Sequence, residues 1–331
     1  TIFSGLANFE MNGDTYYWLD TPGHVDFSTE MERAVSVMDY AVLVISCAEG
    51  VQSHTETVWR LLKEYNVPVF IFLNKLDRIG ADPERVIQQM KNRLSPDMLD
   101  MRQYQYHSLF SDAEIEAIAE RDEDLLEQLF DGGFDEKQWQ ASLRTQVRER
   151  RCFPIMAGVA LEGKGVEEFL HILSDLTPVE YEESAAFSAQ CYQVRHDPQG
   201  QRICFLKILS GSLRVKDELP DGKKINEIRC YHGDKYRPMD IALPGDIVGI
   251  PGLDGIRPCD TIGTDRKSVF RTEPMMAADV LWDEKAIPAF KVMQALRILE
   301  DEDPTLTVTE QHGHLSVHVM GRIQLEVLKE Q

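Results

Sequence analysis

Asp20-Thr21-Pro22-Gly23-His24 and, further along, Asn74-Lys75-Leu76-Asp77 are the stretches whose reading decides the fold of this 331-residue chain. Tyr16-Tyr17-Trp18-Leu19 reads as a short strand with Asp20 at its carboxyl end. That is where nucleotide-binding α/β folds place the carboxylate that serves Mg²⁺, directly or through a water. Thr21 and Pro22 begin the turn, Pro22 fixing one φ, and Gly23 has no Cβ, so its N–H can come close to a phosphoryl oxygen. His24 then stands where a side chain can orient an attacking water. Ordinary turn chemistry explains each piece equally well when the stretch is taken alone. The second stretch changes the balance. Val67-Pro68-Val69-Phe70-Ile71-Phe72-Leu73 is a continuous apolar run of strand length, and Asn74 to Asp77 follow at its carboxyl end, where parallel sheets bind ligands. Both motifs are therefore expected to open from one edge of one sheet. Asp77 can accept from the N1–H and 2-amino group of guanine, whereas adenine would leave it unpaired. Lys75 can lay its methylene stem along the base, and Asn74 can tie the loop to its neighbours.

Asp-Thr-Pro-Gly-His-Val-Asp-Phe at 20–27 and Asn-Lys-Leu-Asp at 74–77 resemble the motifs of the translational GTPases. Within them the chain is similar from end to end to elongation factor G and, more closely, to the tetracycline-resistance ribosomal protection proteins. The resemblance implies GTP and GDP as ligands with Mg²⁺. Thr1 and Asp20 would then serve the metal, Thr1 corresponding to the last threonine of the switch I motif. Gly158-Val159-Ala160 occupies the place of the family's Gly-Ser-Ala, the loop that touches guanine O6 through a backbone N–H. Val159 departs from that pattern and lacks the hydroxyl, but the backbone donor of Ala160 survives the change. The ribosome, with its RNA and proteins, is the implied partner.

Charge and composition bound the reading further. The net charge is −21, an acidic balance that argues against coating nucleic acid and against a DNA partner. Residues 1–186 hold 34 acids and 16 bases, whereas residues 187–265 hold 11 of each. The middle of the chain is thus the less repulsive region for RNA phosphates. Six cysteines form no Cys-x-x-Cys and no zinc spacing, as expected for reduced core thiols of a cytoplasmic protein. No apolar run has the length of a membrane span. The expected protein is a monomer off the ribosome.

Taken in order, the pattern predicts a P-loop-type α/β domain over 1–180. Its first helix has Phe27, Met31, Ala34, Val35 and Met38 on one face, Asp26 as cap, and Glu30, Glu32 and Arg33 pointing away. Tyr40 to Ser46 reads as a buried strand, Thr55 to Tyr65 as a helix, and Asp82-Pro83 as a helix start. Residues 97–151 break the alternation; between Ser111 and Glu136 there are 11 acids and one base, an acidic helical insertion. Cys152 to Ala157 resumes the sheet and Gly165 to Leu176 closes the domain. From Phe187 to about 268 the period becomes two, with strands at Cys191 to Val194, Arg202 to Leu209, Lys224 to Tyr231 and Asp246 to Pro251, as in a small β-barrel. Residues 272–331 read strand, helix, strand, strand and the start of a helix, a ferredoxin-like sandwich cut short. His312 and His314 flank a glycine there and read as a turn rather than a metal pair.

The expected function is a ribosome-dependent GTPase of the ribosomal protection type. Gly321-Arg322-Ile323-Gln324-Leu325-Glu326-Val327 resembles those proteins more than elongation factor G. The alternatives are a translocase paralogue, a ribosome-binding module that hydrolyses nothing, and a non-translational regulatory GTPase. No Gly-x-x-x-x-Gly-Lys-Ser/Thr occurs in the 331 residues, so the chain is expected to be a fragment that binds GTP poorly by itself.

Overall fold

A computed structural model describes residues 4–24, 28–104, 110–264, 276–283, 285–303, 305–311 and 314–330. Thr1, Asp26, Phe27 and His312 lie outside the described residues. The chain divides into two compact units, one of Thr1–Val37 with Glu180–Gln331 and one of Met38–Val179.

The first unit opens with β1 (Gly5–Met11) and β2 (Asp14–Asp20), which pair antiparallel from Gly5↔Asp20 to Met11↔Asp14. Asn12 and Gly13 both have positive φ, 52° and 90°, the type I′ geometry that an Asn-Gly pair favours between two strands. This corrects the expected topology. Among the described residues β2 pairs with β1 alone and is not a strand of the parallel sheet, so Asp20 and Asn74 do not end strands of one sheet. A two-residue turn closes this ladder locally, without the loop entropy that insertion into a distant sheet would cost. The hairpin then buries Leu6, with Tyr17 and Leu19 partly buried, against Tyr192, Phe205, Tyr231 and Ile247. Tyr17 donates to Asp246 Oδ1 at 2.9 Å, and Gly233 N–H to the Leu6 carbonyl at 2.7 Å.

Helix α1 (Ser28–Val35) follows, and here too the expectation fails: Glu30, Glu32 and Arg33 are buried along with Met31, Ala34 and Val35. Neighbours cover both of its faces, and the charges are tolerated because they are paired: Arg33 bonds Glu30 and the Glu302 carbonyl, and Glu30 also accepts from Ser4 N–H and Gln193 Nε2.

In the second unit β3 (Ala41–Ser46), β4 (Val69–Asn74), β5 (Met98–Asp100) and β6 (Phe153–Ala157) form a parallel sheet in the order β3-β4-β6-β5. β5 lies at the start of the segment expected to break the alternation; its three residues are too few to carry a period. Helices α2 (Ser53–Glu64) and α3 (Pro83–Arg93) supply the alternation, α3 starting as expected with Pro83 first and Asp82 accepting from Arg85 N–H at 2.9 Å. The acidic segment forms α4 (Asp112–Ala119), α5 (Glu123–Phe130) and α6 (Glu136–Arg148), capped by Ser111, Asp122 and Asp135. Trp139, Leu143, Ile118 and Val147 are fully buried there, and α7 (Val166–Leu176) closes the unit.

Back in the first unit, β7 (Ser188–His196), β8 (Arg202–Ser210), β9 (Leu213–Arg214), β10 (Ile228–His232), β11 (Lys235–Met239), β12 (Ile241–Ala242), β13 (Ile247–Pro251) and β14 (Thr261–Ile262) form the β-barrel. Their order is β11-β10-β13-β8-β7-β14 with β12-β9 beside it, around a core that includes Cys191, Cys204, Leu206, Ile228 and Val248. The strand expected from Lys224 starts only at Ile228. Lys224 bridges Glu218, and Ile225 exchanges backbone bonds with Lys216 and Asp217. All six cysteines are free and buried, and burial pushes the Cys152 thiol up to about 12.

Finally β15 (Met276–Asp279), α8 (Ala289–Glu302), β16 (Thr307–Gln311), β17 (His314–Val319) and α9 (Arg322–Glu330) place β17 antiparallel between β15 and β16. That is the split βαβ arrangement of a ferredoxin-like sandwich.

Candidate functional site

Each half of the expected site is built within its own unit. In the second unit β4 ends on Asn74, and Lys75 takes a left-handed conformation, φ 66°, that turns the chain outward at the sheet's carboxyl edge. Asn74 Oδ1 accepts from Lys75 N–H at 2.8 Å and from Ala160 N–H at 3.0 Å. One carboxamide oxygen thus ties the loop after β4 to the loop after β6. The two loops also share Gly158, whose N–H donates to the Leu73 carbonyl at 2.9 Å while its own carbonyl accepts from Leu76 N–H at 3.4 Å. Gly158 has to be glycine: a Cβ there would lie 2.1 Å from the Lys164 carbonyl oxygen and 2.9 Å from Phe72 Cζ.

The loop after β6 is closed on itself. Val159 N–H donates to the Lys164 carbonyl at 3.0 Å and Lys164 N–H to the Val159 carbonyl at 3.2 Å, around one turn of 3₁₀ helix at Ala160–Glu162. Val159 is buried. Asp77 is exposed and makes no hydrogen bond among the described residues. Its charge nonetheless reaches the other loop. The Lys164 pKa is raised mainly by the bond to Glu162 and more weakly by Asp77. Lys75, also exposed, has its ammonium 3.8 Å from Glu49 after β3, an ion pair the sequence reading missed. A polar loop after a strand gives no local cue to a partner 26 residues earlier in the chain. Ala160, expected to offer its N–H to a base, spends it on Asn74 in this structure, so a base oxygen would have to share or displace that bond.

In the first unit Asp20 ends β2 opposite Gly5 of β1 and is exposed, and its carboxylate makes no hydrogen bond among the described residues. Pro22 is buried, anchoring the turn, while Thr21 is half-buried and Gly23 and His24 are exposed. Among the described residues a Cβ on Gly23 would meet no atom within 4 Å. Open space of this kind is what a phosphate approaching the backbone would use. The donor set fits Mg²⁺ carried by a phosphate chain: such an ion takes one or two carboxylates and keeps its other oxygens from water and phosphate. Among the described residues no cluster of three or more His, Cys, Asp or Glu could hold a metal by itself.

The sequence reading missed the buried charges of α1, although Glu30 and Arg33 at i and i+3 are a cue to a paired helix face. No helix among the described residues is long and apolar enough to cross a membrane.

Residues 1–179 match the elongation factor Tu GTP-binding domain family, and residues 186–264 match elongation factor G domain 2. The tetracycline resistance protein TetW of Butyrivibrio fibrisolvens is 30% identical over 346 residues, covering 99% of this chain and 54% of its own length. Elongation factor G of Ureaplasma urealyticum is 29% identical over 399 residues, covering 99% of this chain and 58% of its own. The chain therefore spans little more than half the length of these relatives. A crystal structure from Thermus thermophilus superposes with a TM-score of 0.85 at 21% identity, over 100% of this chain and 57% of that one, a likeness of fold. On these matches the chain belongs to the translational GTPase family built on the elongation factor Tu GTP-binding domain, of the elongation factor G and TetW type.

Proposed function

We propose that this chain carries the guanine-nucleotide site of a ribosome-dependent translation factor of the ribosomal protection type. The observation that carries the reading is the Asn74 carboxamide, which holds the loops of residues 74–77 and 158–164 together beside an exposed Asp77 carboxylate. In this reading Asp77 receives the base, Lys75 and Leu76 flank it, and Gly158, Val159 and Ala160 form the facing wall. Asp20 and Thr1 would hold Mg²⁺, which when bound neutralises charge on the phosphates. Thr21, Pro22 and Gly23 would meet the terminal phosphate, and His24 would orient water. The three domains would span 1–180, with the helical insertion at 97–151, then 187–268 and 272–331. The Gly321 to Val327 stretch supports the protection type over a translocase. A second reading is a ribosome-binding module that hydrolyses nothing. The cytoplasm is the compartment that fits a partner of this kind, and the chain acts as a monomer when off the ribosome.

Amide hydrogen exchange with millimolar nucleotide tests the base site and reads weak binding. GDP should slow exchange in residues 74–77 and 158–164, and ADP should not. Equal protection by both nucleotides, or by neither, would sink the reading. Calorimetry should find GTP binding weaker than micromolar for the chain alone, because the phosphate-cradling Lys is absent from it. His24→Ala should slow ribosome-stimulated GTP hydrolysis while leaving GDP protection of residues 74–77 unchanged. A loss of both together would assign His24 to folding.

A further inference from the structure

The two loops that Asn74 ties together each carry a lysine, and each lysine is held by a glutamate. Lys75, two residues before Asp77, has its ammonium 3.8 Å from Glu49 Oε1, and Glu49 Oε2 in turn accepts from Gln52 Nε2 at 3.2 Å. Lys164, at the far end of the loop after β6, has its ammonium 2.6 Å from Glu162 Oε2. The Asp77 carboxylate makes no hydrogen bond or ion pair among the described residues.

The backbone roots Lys164 beside the loop that carries Asp77. Lys164 closes its own loop through the reciprocal bonds with Val159, and its carbonyl oxygen lies against Gly158, where a Cβ would come within 2.1 Å of it. The Gly158 carbonyl accepts from the N–H of Leu76, the residue before Asp77, at 3.4 Å. From that root the ammonium swings on a flexible four-carbon stem. The electrostatics agree: the Lys164 pKa is raised first by the bond to Glu162, and Asp77 adds to the rise. Val159, at the neck of the same loop, is buried and apolar and gives Asp77 no side-chain donor.

We propose that Glu162 is a positioning residue for base recognition: it holds the Lys164 ammonium off Asp77 and so keeps that carboxylate open to the N1–H and 2-amino group of a guanine. Guanine and Lys164 are alternative partners of one carboxylate, so an ammonium seated on Asp77 would have to leave before the base could bind. The Lys164 side chain is 72% exposed and that of Glu162 47%, which makes the pair exchangeable with solvent and with other carboxylates. The purpose given to Glu162 rests on the base reading above, whereas the choice that Lys164 makes between two carboxylates does not.

Two measurements on the full chain test the proposal. In the first, the side-chain resonance of Lys164 is followed by NMR in isotope-labelled protein without nucleotide. Asp77→Asn should move that resonance slightly when Glu162 is present and much further in Glu162→Gln, because only there is the ammonium released toward residue 77. Equal displacement in both backgrounds would overturn the proposal. In the second, GDP competes against a fluorescent guanine nucleotide. Glu162→Gln should weaken GDP by roughly two- to fivefold, the range expected of an exposed ion pair, and Glu162→Gln/Lys164→Met should restore the wild-type affinity. The difference from wild type should also vanish near about 1 M salt, where the screening length is about 3 Å. Unchanged GDP affinity in Glu162→Gln would overturn the proposal. A double variant as weak as Glu162→Gln would overturn it too, by giving Glu162 a role in shaping the loop instead. Equal protection of residues 74–77 by GDP and ADP in the wild-type chain marks a different failure: it removes the base reading and the purpose given to Glu162, and the NMR comparison still reports whether Lys164 is held off Asp77.

Discussion

Asp77→Asn should invert the preference of the site between guanine and xanthine nucleotides. The carboxylate of Asp77 is exposed at the end of a loop that Asn74 holds in place through two hydrogen bonds. It can accept from both N1–H and the 2-amino group of guanine. An Asn in its place offers one acceptor and one donor, which matches the N1–H and 2-oxo group of xanthine. Each hydrogen bond to a charged group contributes about 1.5–3 kcal/mol, so losing two of them changes the preference by roughly 10²- to 10⁴-fold. Competition of GDP and XDP against a fluorescent guanine nucleotide measures the ratio directly, even where both bind weakly. An unchanged ratio would show that Asp77 does not read the base. A uniform loss of both nucleotides would instead place it in holding the loop.

Gly158→Ala is expected to have the next largest effect. The new methyl would sit 2.1 Å from the Lys164 carbonyl oxygen, a backbone atom held by the Val159–Lys164 bond pair, with Phe72 at 2.9 Å behind it. Neither neighbour is the free end of a flexible side chain, so the loop must move. Overpacking of this kind costs about 3 kcal/mol. Gly163→Ala is the control. Gly163 has φ 72° but no atom within 4 Å of the added carbon, so only the left-handed strain of about 1 kcal/mol applies. Urea unfolding should therefore rank Gly158→Ala well below Gly163→Ala in stability, and the former should also lose GDP protection of residues 74–77. Equal stabilities would mean that the loop is softer than its hydrogen bonds imply.

The types of the elements could be read from the chain because they follow from periods of two and 3.6 that adjacent residues carry. The apolar run ending at Leu73 is β4, and Asp82-Pro83 starts α3 with its cap in place. The acidic stretch after Ser111 is three capped helices, and the last segment is a split βαβ sheet. That the loops after β4 and β6 share the Asn74 carboxamide was not carried by either loop's own residues; only the resemblance set residues 158–160 beside a base. Met98–Asp100 was not legible either, because three residues hold too little pattern to tell a strand from the loop around it.

What the tertiary structure alone decided was which partners those elements take. The strand ending at Asp20 was recognised as a strand, yet it pairs with β1 across an Asn-Gly turn and packs on the barrel. A strand's period says nothing about which edge it joins. Glu30, Glu32 and Arg33 read as a solvent face, yet they are buried. Polarity predicts exposure only when no partner is supplied from elsewhere, and here Gln193 and the Glu302 carbonyl come from residues far along the chain. Ala160 likewise gives its N–H to Asn74 across 86 residues, a bond fixed by the distance between two loops rather than by either sequence. Local pattern determined the elements and the chemistry they carry, because both depend on neighbouring side chains. Burial, pairing and register waited on the fold, because each is settled by groups that only three-dimensional packing brings together.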